Sequence, residues 1–98
     1  MRISQLKTID IQTLRWFDKV NGNTYFANVV TLNYGMPTCE IINQSFTYGY
    51  SSFDYEAYKV IKEHFKKDKE FSLYDYIQKK NIVVRHSVKD TLKRNLYI

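Results

Sequence analysis

Apolar and polar positions alternate cleanly from Thr24 to Tyr34. Phe26, Val30, Leu32 and Tyr34 share one parity, with Asn28 the exception among them, and Tyr25, Ala27, Val29, Thr31 and Asn33 share the other. A period of two predicts a strand with two distinct faces. A second extended stretch precedes it, Ile9 to Val20, rich in β-branched and aromatic residues that fit a pleated surface. Its apolar residues change parity between Ile9-Ile11 and Leu14-Trp16, which predicts a bulge near Gln12-Thr13. Asn21-Gly22 joins the two arms and suits a two-residue type I′ turn. Gly35-Met36-Pro37 marks a second turn, and Thr38 to Tyr48 a third strand with Ile42, Phe46 and Tyr48 on one face and Cys39, Ile41, Asn43, Ser45 and Thr47 on the other. Three strands joined by short turns predict an antiparallel meander. Residues 1–8, polar and mixed, are expected to be a frayed lead-in.

The period changes after Gly49. Phe53, Ala57, Ile61 and Phe65 recur every four residues, joined by Tyr58, and predict the apolar stripe of a helix over about 53–67. Ser51 and Asp54 suggest a capping box at its start. Asp54 and Glu56 in the first turn and Lys66 and Lys67 in the last suit the helix dipole. The stripe is expected to cover one face of the sheet, since a bare three-stranded sheet needs cover. Ser72-Leu73-Tyr74-Asp75 opens a second, shorter helix ending near Asn81. Ile82 to Arg85 fits either a fourth strand or an extended connection. Val88, Leu92 and Leu96 fit a last short helix, with a terminal hairpin over 82–98 as the competing arrangement. The predicted fold class is α+β: a three-stranded antiparallel meander packed by the 53–67 helix, with a short C-terminal helical or mixed segment, forming one domain over residues 1–98.

Composition sharpens this in two ways. Nine Tyr, six Phe and one Trp in 98 residues exceed what one small core hides, so some rings are expected at a surface. The net charge of +5 is uneven: residues 1–50 carry four basic and three acidic side chains, residues 51–98 eleven and seven. The basic half favours an anionic partner. Met1 to Lys7 has no apolar run, so no signal peptide is expected, and no stretch is long enough to span a membrane. A lone cysteine excludes an internal disulfide framework. These features predict a cytoplasmic chain.

Chemistry-bearing patterns are sparse. His64, His86 and Cys39 lack the spacing of a metal site, Cys39 has no helix N-terminus to activate it and reads as a buried core thiol, and three glycines cannot build a phosphate loop. No catalytic residue, metal or cofactor is expected, and no enzyme. Two binding chemistries remain. Lys66, Lys67, Lys69, Lys79, Lys80, Arg85, Lys89, Lys93 and Arg94 could converge into a nucleic-acid-binding face, with Tyr48, Tyr50, Tyr74 and Tyr76 interleaved for stacking on RNA or a single strand. Trp16, Tyr25, Tyr48 and Tyr50 are instead the candidates for a protein contact or a homodimer, on the sheet face opposite the helix unless C-terminal elements cover it.

The strings Trp16-Phe17-Asp18-Lys19-Val20-Asn21-Gly22-Asn23-Thr24-Tyr25 and Phe46-Thr47-Tyr48-Gly49-Tyr50, followed by Val88 and Lys93-Arg94-Asn95-Leu96, resemble a group of small phage and prophage proteins. Those proteins pair a W-x-x-K-x-N-G-N-T-Y hairpin with a Y-G-Y junction before a helix. Phe26 departs from the pattern, at a position often polar or His. The resemblance implies a phage origin and an α+β fold, and supplies no catalytic residue. Proteins of this class act against host processes. The resemblance therefore implies a non-catalytic protein that modulates a host complex, an anti-defence inhibitor of the anti-CRISPR kind, engaging a host protein or ribonucleoprotein effector or its RNA. A stand-alone nucleic-acid-binding module and a small structural or homo-oligomeric phage protein are the alternatives.

Overall fold

The computed structural model describes residues 1–49, 53–65 and 72–98. It is α+β, with a four-stranded mixed sheet and two helices. Strands β1 (Thr8–Asp18), β2 (Asn23–Leu32) and β3 (Glu40–Tyr48) form the expected antiparallel meander. Helices α1 (Phe53–His64) and α2 (Leu73–Lys79) follow, and β4 (Val83–Asp90) then pairs parallel to β1. The sheet order is β3-β2-β1-β4, so the two helices carry the chain from one edge to the other.

The meander is therefore only part of the sheet: of the two readings of Ile82 to Arg85 the fourth strand holds and runs on to Asp90, while the terminal hairpin over 82–98 does not form. Val88 lies in β4, and the last helix is replaced by a 3₁₀ turn over Lys93–Leu96. The i, i+4 spacing of Val88, Leu92 and Leu96 spans a strand, a bend and that turn. Two charge pairs fix how β4 lies on β1. Asp10 takes Arg85 at 2.6 and 3.0 Å, and Asp90 takes Arg15 at 2.7 and 3.2 Å. Each pair sits directly across the two strands in register, and the odd separation along the strand puts them on opposite faces. The two pairs are reversed in sign, so no slip of β4 preserves both.

One face of the sheet carries Ile9, Ile11, Val30 and Leu32, buried in one cluster with Ala57, Ile61, Phe65, Leu73 and Ile77, and Phe26, buried against Phe53 at 4.9 Å. The α1 stripe covers this face, as its spacing predicts, although the helix ends at His64; Lys66, Lys67 and Ser51 of the expected cap lie outside the described residues. Ser72 caps α2, its Oγ accepting from the Asp75 N–H at 3.4 Å. Asn81 takes the left-handed conformation that ends α2 (φ 52°), and the Ile82 N–H closes onto the Ile77 carbonyl at 3.0 Å.

Four local expectations are corrected. β1 has no bulge: its register with β2 runs unbroken from Ile9↔Leu32 to Asp18↔Asn23. Its parity change means that Ile9 and Ile11 face the helices while Leu14 and Trp16 face the other way. The bulge is in β3, where Ser45 and Phe46 oppose Ala27, and it turns Phe46 and Tyr48 away from the face of Ile42. The first hairpin closes with four residues, Lys19 to Gly22, and only Gly22 takes a positive φ (69°). Asp18 explains this wider turn. Its carboxylate accepts from the N–H groups of Val20 and Asn21 and from Asn21 Nδ2, which also holds its pKa below the usual carboxylate value.

The N-terminal segment is docked rather than frayed. Leu6 is buried, and a 3₁₀ turn over Ile3–Gln5 places the Met1 ammonium 2.8 Å from Glu40 Oε1. Glu40 Oε2 meets His64 Nε2 at 2.7 Å. The N-terminal ammonium first, then His64, holds the Glu40 carboxyl below its ordinary value of 4.5. A depressed folded-state pKa contributes stability that is complete above that value and lost as pH falls through the folded one. Melting temperature should therefore decline on acidification below pH 4.5, with a shallower acid limb in Glu40→Gln. Melts across that range, with equal slopes for both proteins as the contrary outcome, check this.

Candidate binding surface

The face opposite the helices is divided in two. At its hairpin end, rings from three strands stand against one another. Trp16 of β1 stacks on Tyr25 of β2 at 5.8 Å, and Tyr25 on Phe46 of β3 at 4.8 Å, with interplanar angles of 25° and 24°. Tyr97 continues the stack on Phe46 at 5.0 Å, while Tyr48 meets Tyr25 edge-on at 5.5 Å. At the opposite end of the row, Lys93 Nζ lies 5.6 Å from the centre of the Trp16 ring.

The C-terminal 3₁₀ turn is thus a strap across the strands. Lys93 sits at Trp16, Tyr97 at Phe46, and Leu96 is fully buried between them. The Leu96 carbonyl accepts from Ser45 Oγ at 3.2 Å, at the β3 bulge. The bulge gives Phe46 the orientation that meets Tyr97, so β3 and the strap are fitted to each other.

This arrangement limits what the rings can do. A base-stacking platform presents ring faces to solvent. Here the facing surfaces of Trp16, Tyr25 and Phe46 are taken by one another, by Tyr97 and by Lys93. Trp16 and Tyr25 are half-buried, and of the sequence-derived protein-contact residues Tyr48 alone is exposed among those described. Tyr50 lies outside the described residues.

The other half of this face is uncovered. Gln12, Val29, Thr31, Tyr34 and Ser87 border a shallow depression of about 320 Å³, with the Asp10–Arg85 pair on its rim. Tyr34 is 70% exposed and Ile41, in register with Thr31, is 63% exposed. Tyr34 and Ile41 were missed by sequence reasoning. Parity places Ile41 on this face, but nothing in the sequence says that the C-terminal strap stops short of it.

Among the described residues the sequence-derived cations fall in two groups at opposite ends of β4. Lys79 and Lys80 end α2, just before β4 starts beside Thr8. Lys93 and Arg94 follow the end of β4, beside Arg15. The eight residues of β4 separate the two pairs by about 25 Å at the usual strand rise. Arg85 is engaged by Asp10, and Lys89, on the open face, is in register with Leu14 at the Lys93 end of β4. Lys66, Lys67 and Lys69 lie outside the described residues.

Among the described residues Cys39, His64 and His86 make no hydrogen bond to one another. Cys39 is exposed in the turn before β3, which corrects the expectation of a buried core thiol. His64 is tied to Glu40, and His86 Nε2 lies 2.8 Å from Thr13 Oγ1. Among the described residues no three His, Cys, Asp or Glu side chains gather to hold a metal, and no helix is long and apolar enough to cross a membrane. No family model matches the chain, and neither a curated protein nor a solved structure does.

Proposed function

We propose that this chain is a non-catalytic binding protein that docks a protein partner on the uncovered half of its sheet. The observation carrying the reading is the patch of Tyr34 and Ile41 beside Val29 and Thr31, an apolar centre with a polar rim at Gln12, Ser87 and the Asp10–Arg85 pair. Aromatic and branched side chains in such a setting supply most of the binding energy in protein interfaces. Separation of Lys79 and Lys80 from Lys89, Lys93 and Arg94 by the length of β4 favours a protein over a nucleic acid, whose affinity rises with the number of phosphates neutralised together. The resemblance to small phage proteins extends the reading to a modulator of a host complex, of the anti-defence kind.

Affinity capture from a bacterial lysate, with and without nuclease, tests it. Capture should survive nuclease and change little with salt. Tyr34→Ala combined with Ile41→Asp should weaken it roughly ten- to a hundredfold, as loss of two anchor side chains does. Both positions are exposed, so the double variant should keep the parent's melting temperature. Capture that vanishes with nuclease, or falls steeply with salt and on Lys79→Glu with Lys80→Glu, would move the function to nucleic acid.

A further inference from the structure

We propose that the outer edge of β4 is a self-association edge, through which two copies of the chain pair antiparallel and continue one sheet across a two-fold axis. This goes beyond the face described above and does not depend on it. β4 ends the sheet order, with β1 on its inner side. The Val83 N–H donates to the Lys7 carbonyl at 3.2 Å and the Thr91 N–H to the Arg15 carbonyl at 2.8 Å. Backbone groups alternate sides along a strand, so the N–H and C=O of Val84, His86, Val88 and Asp90 point outward, away from β1.

The two edges of the sheet differ. β3 carries the bulge at Ser45 and Phe46, a device that spoils an edge as a template. β4 carries none: its register with β1 is unbroken from Thr8↔Val83 to Arg15↔Asp90. His86 and Val88 are exposed on the helix-facing side, although α1 covers β1, β2 and β3 on that side. An unbroken edge with exposed β-branched residues is a template for another strand.

Register points to a second copy as that strand. A two-fold axis normal to the sheet keeps both helix layers on one side and pairs residues of equal parity. Two registers then use nearly the whole of β4. Centring on Ser87 sets Arg85 opposite Lys89 in a non-hydrogen-bonded pair, where side chains approach most closely and like charges repel. Centring on His86 sets Val84 opposite Val88 twice, Arg85 opposite Ser87 and Val83 opposite Lys89. Only this second register matches apolar with apolar and keeps the fixed cations apart.

Sedimentation equilibrium on the full chain, from low micromolar to near-millimolar, should show a reversible monomer–dimer equilibrium. Val88→Pro removes one outward N–H, leaves the β1 ladder whole, and should weaken the dimer at least tenfold with the monomer's circular dichroism unchanged. Val88→Lys, which sets a charge against the partner's apolar position, should do the same and serves if the proline variant misfolds. Residues on the two-fold lie about 5.5 Å apart at Cα, within disulfide reach. In a Cys39→Ser background, His86→Cys should therefore oxidise to a covalent dimer and Ser87→Cys should not. A chain monomeric at the highest concentration, a dimer indifferent to both Val88 variants, or cross-linking through Ser87→Cys instead would overturn the proposal.

Discussion

Replacing Asn33 by Ala should cost about 3 kcal/mol or more of unfolding free energy, because one buried amide holds four groups from two segments of chain, residues 5–8 and Thr38. Asn33 follows β2 and is fully buried. Its Oδ1 accepts from the N–H groups of Lys7 at 2.7 Å and Thr8 at 3.2 Å. Its Nδ2 donates to the Gln5 carbonyl at 2.8 Å and to Thr38 Oγ1 at 2.9 Å. Alanine leaves these groups without that partner, and each one that water cannot reach costs about 1–3 kcal/mol. The backbone adds to the loss. Asn33 has φ 55°, a left-handed conformation that Asn tolerates and that Ala adopts at a further cost of about 1 kcal/mol. At about 4–8 °C per kcal/mol for a domain of this size, the melting temperature should drop by roughly 15 °C. Asn33→Gly isolates the hydrogen-bond part, since glycine relieves the backbone but restores no partner, and it should lie between wild type and Ala. Amide exchange should quicken at Lys7 and Thr8 ahead of the rest of β1. A loss below 1 kcal/mol in denaturant unfolding would sink the assignment.

Asn33 also shows where the sequence stops being informative. Periodicity makes the three antiparallel strands, the α1 stripe and the Ser72 cap legible, because each depends on residues close together in the chain. The docking of residues 1–7 was not legible, because what holds them is an amide at position 33 and a carboxylate at position 40. Asn33 itself looks like an ordinary polar residue before a glycine turn. The parallel pairing of β4 escaped for the same reason: its pins, Asp10–Arg85 and Arg15–Asp90, are each 75 residues apart in sequence. The run Val83 to Asp90 is too polar past Arg85 to announce a strand, since an edge strand buries little.

The proposed binding surface was legible by half. The aromatic excess correctly indicates rings outside the main core, and Trp16, Tyr25 and Tyr48 do gather on one face with Lys93. What the composition could not show is that Tyr97 and Leu96 close over them. That strap converts the expected contact surface into a half-buried aromatic stack and leaves the other half of the face, at Tyr34 and Ile41, uncovered.

Asn28→Leu should cost about 3 kcal/mol, and more than its burial alone suggests, because Asn28 is the midpoint of a polar line crossing the whole sheet. The exception in the alternation of β2 is fully buried on the helix face. Thr13 Oγ1 of β1 donates to Asn28 Oδ1 at 2.6 Å, and Asn28 Nδ2 donates to Gln44 Oε1 of β3 at 3.0 Å and to the Phe53 carbonyl of α1 at 3.1 Å. The Thr13 hydroxyl has one proton, which goes to Asn28, so its 2.8 Å contact with His86 of β4 requires the proton on His86 Nε2. All four strands and the first turn of α1 are therefore joined through side chains. Apolar packing at this level would tolerate small shifts of one strand on another; a line of directed bonds does not. Leucine fills much of the same volume but leaves the Thr13 hydroxyl, the Gln44 amide and the Phe53 carbonyl without their partner, and the first and last are buried. Thr13→Val alone should cost about 1–2 kcal/mol by the same reasoning. The double variant should cost less than the sum of the two by about 1 kcal/mol, because removing both partners leaves fewer groups stranded than removing one. A cycle additive to within about 0.5 kcal/mol would mean that the two residues act independently. Because His86 sits at the β4 end of the line, loss of Asn28 should also loosen the outer edge, and amide exchange should quicken at Ser87 and Lys89 in Asn28→Leu.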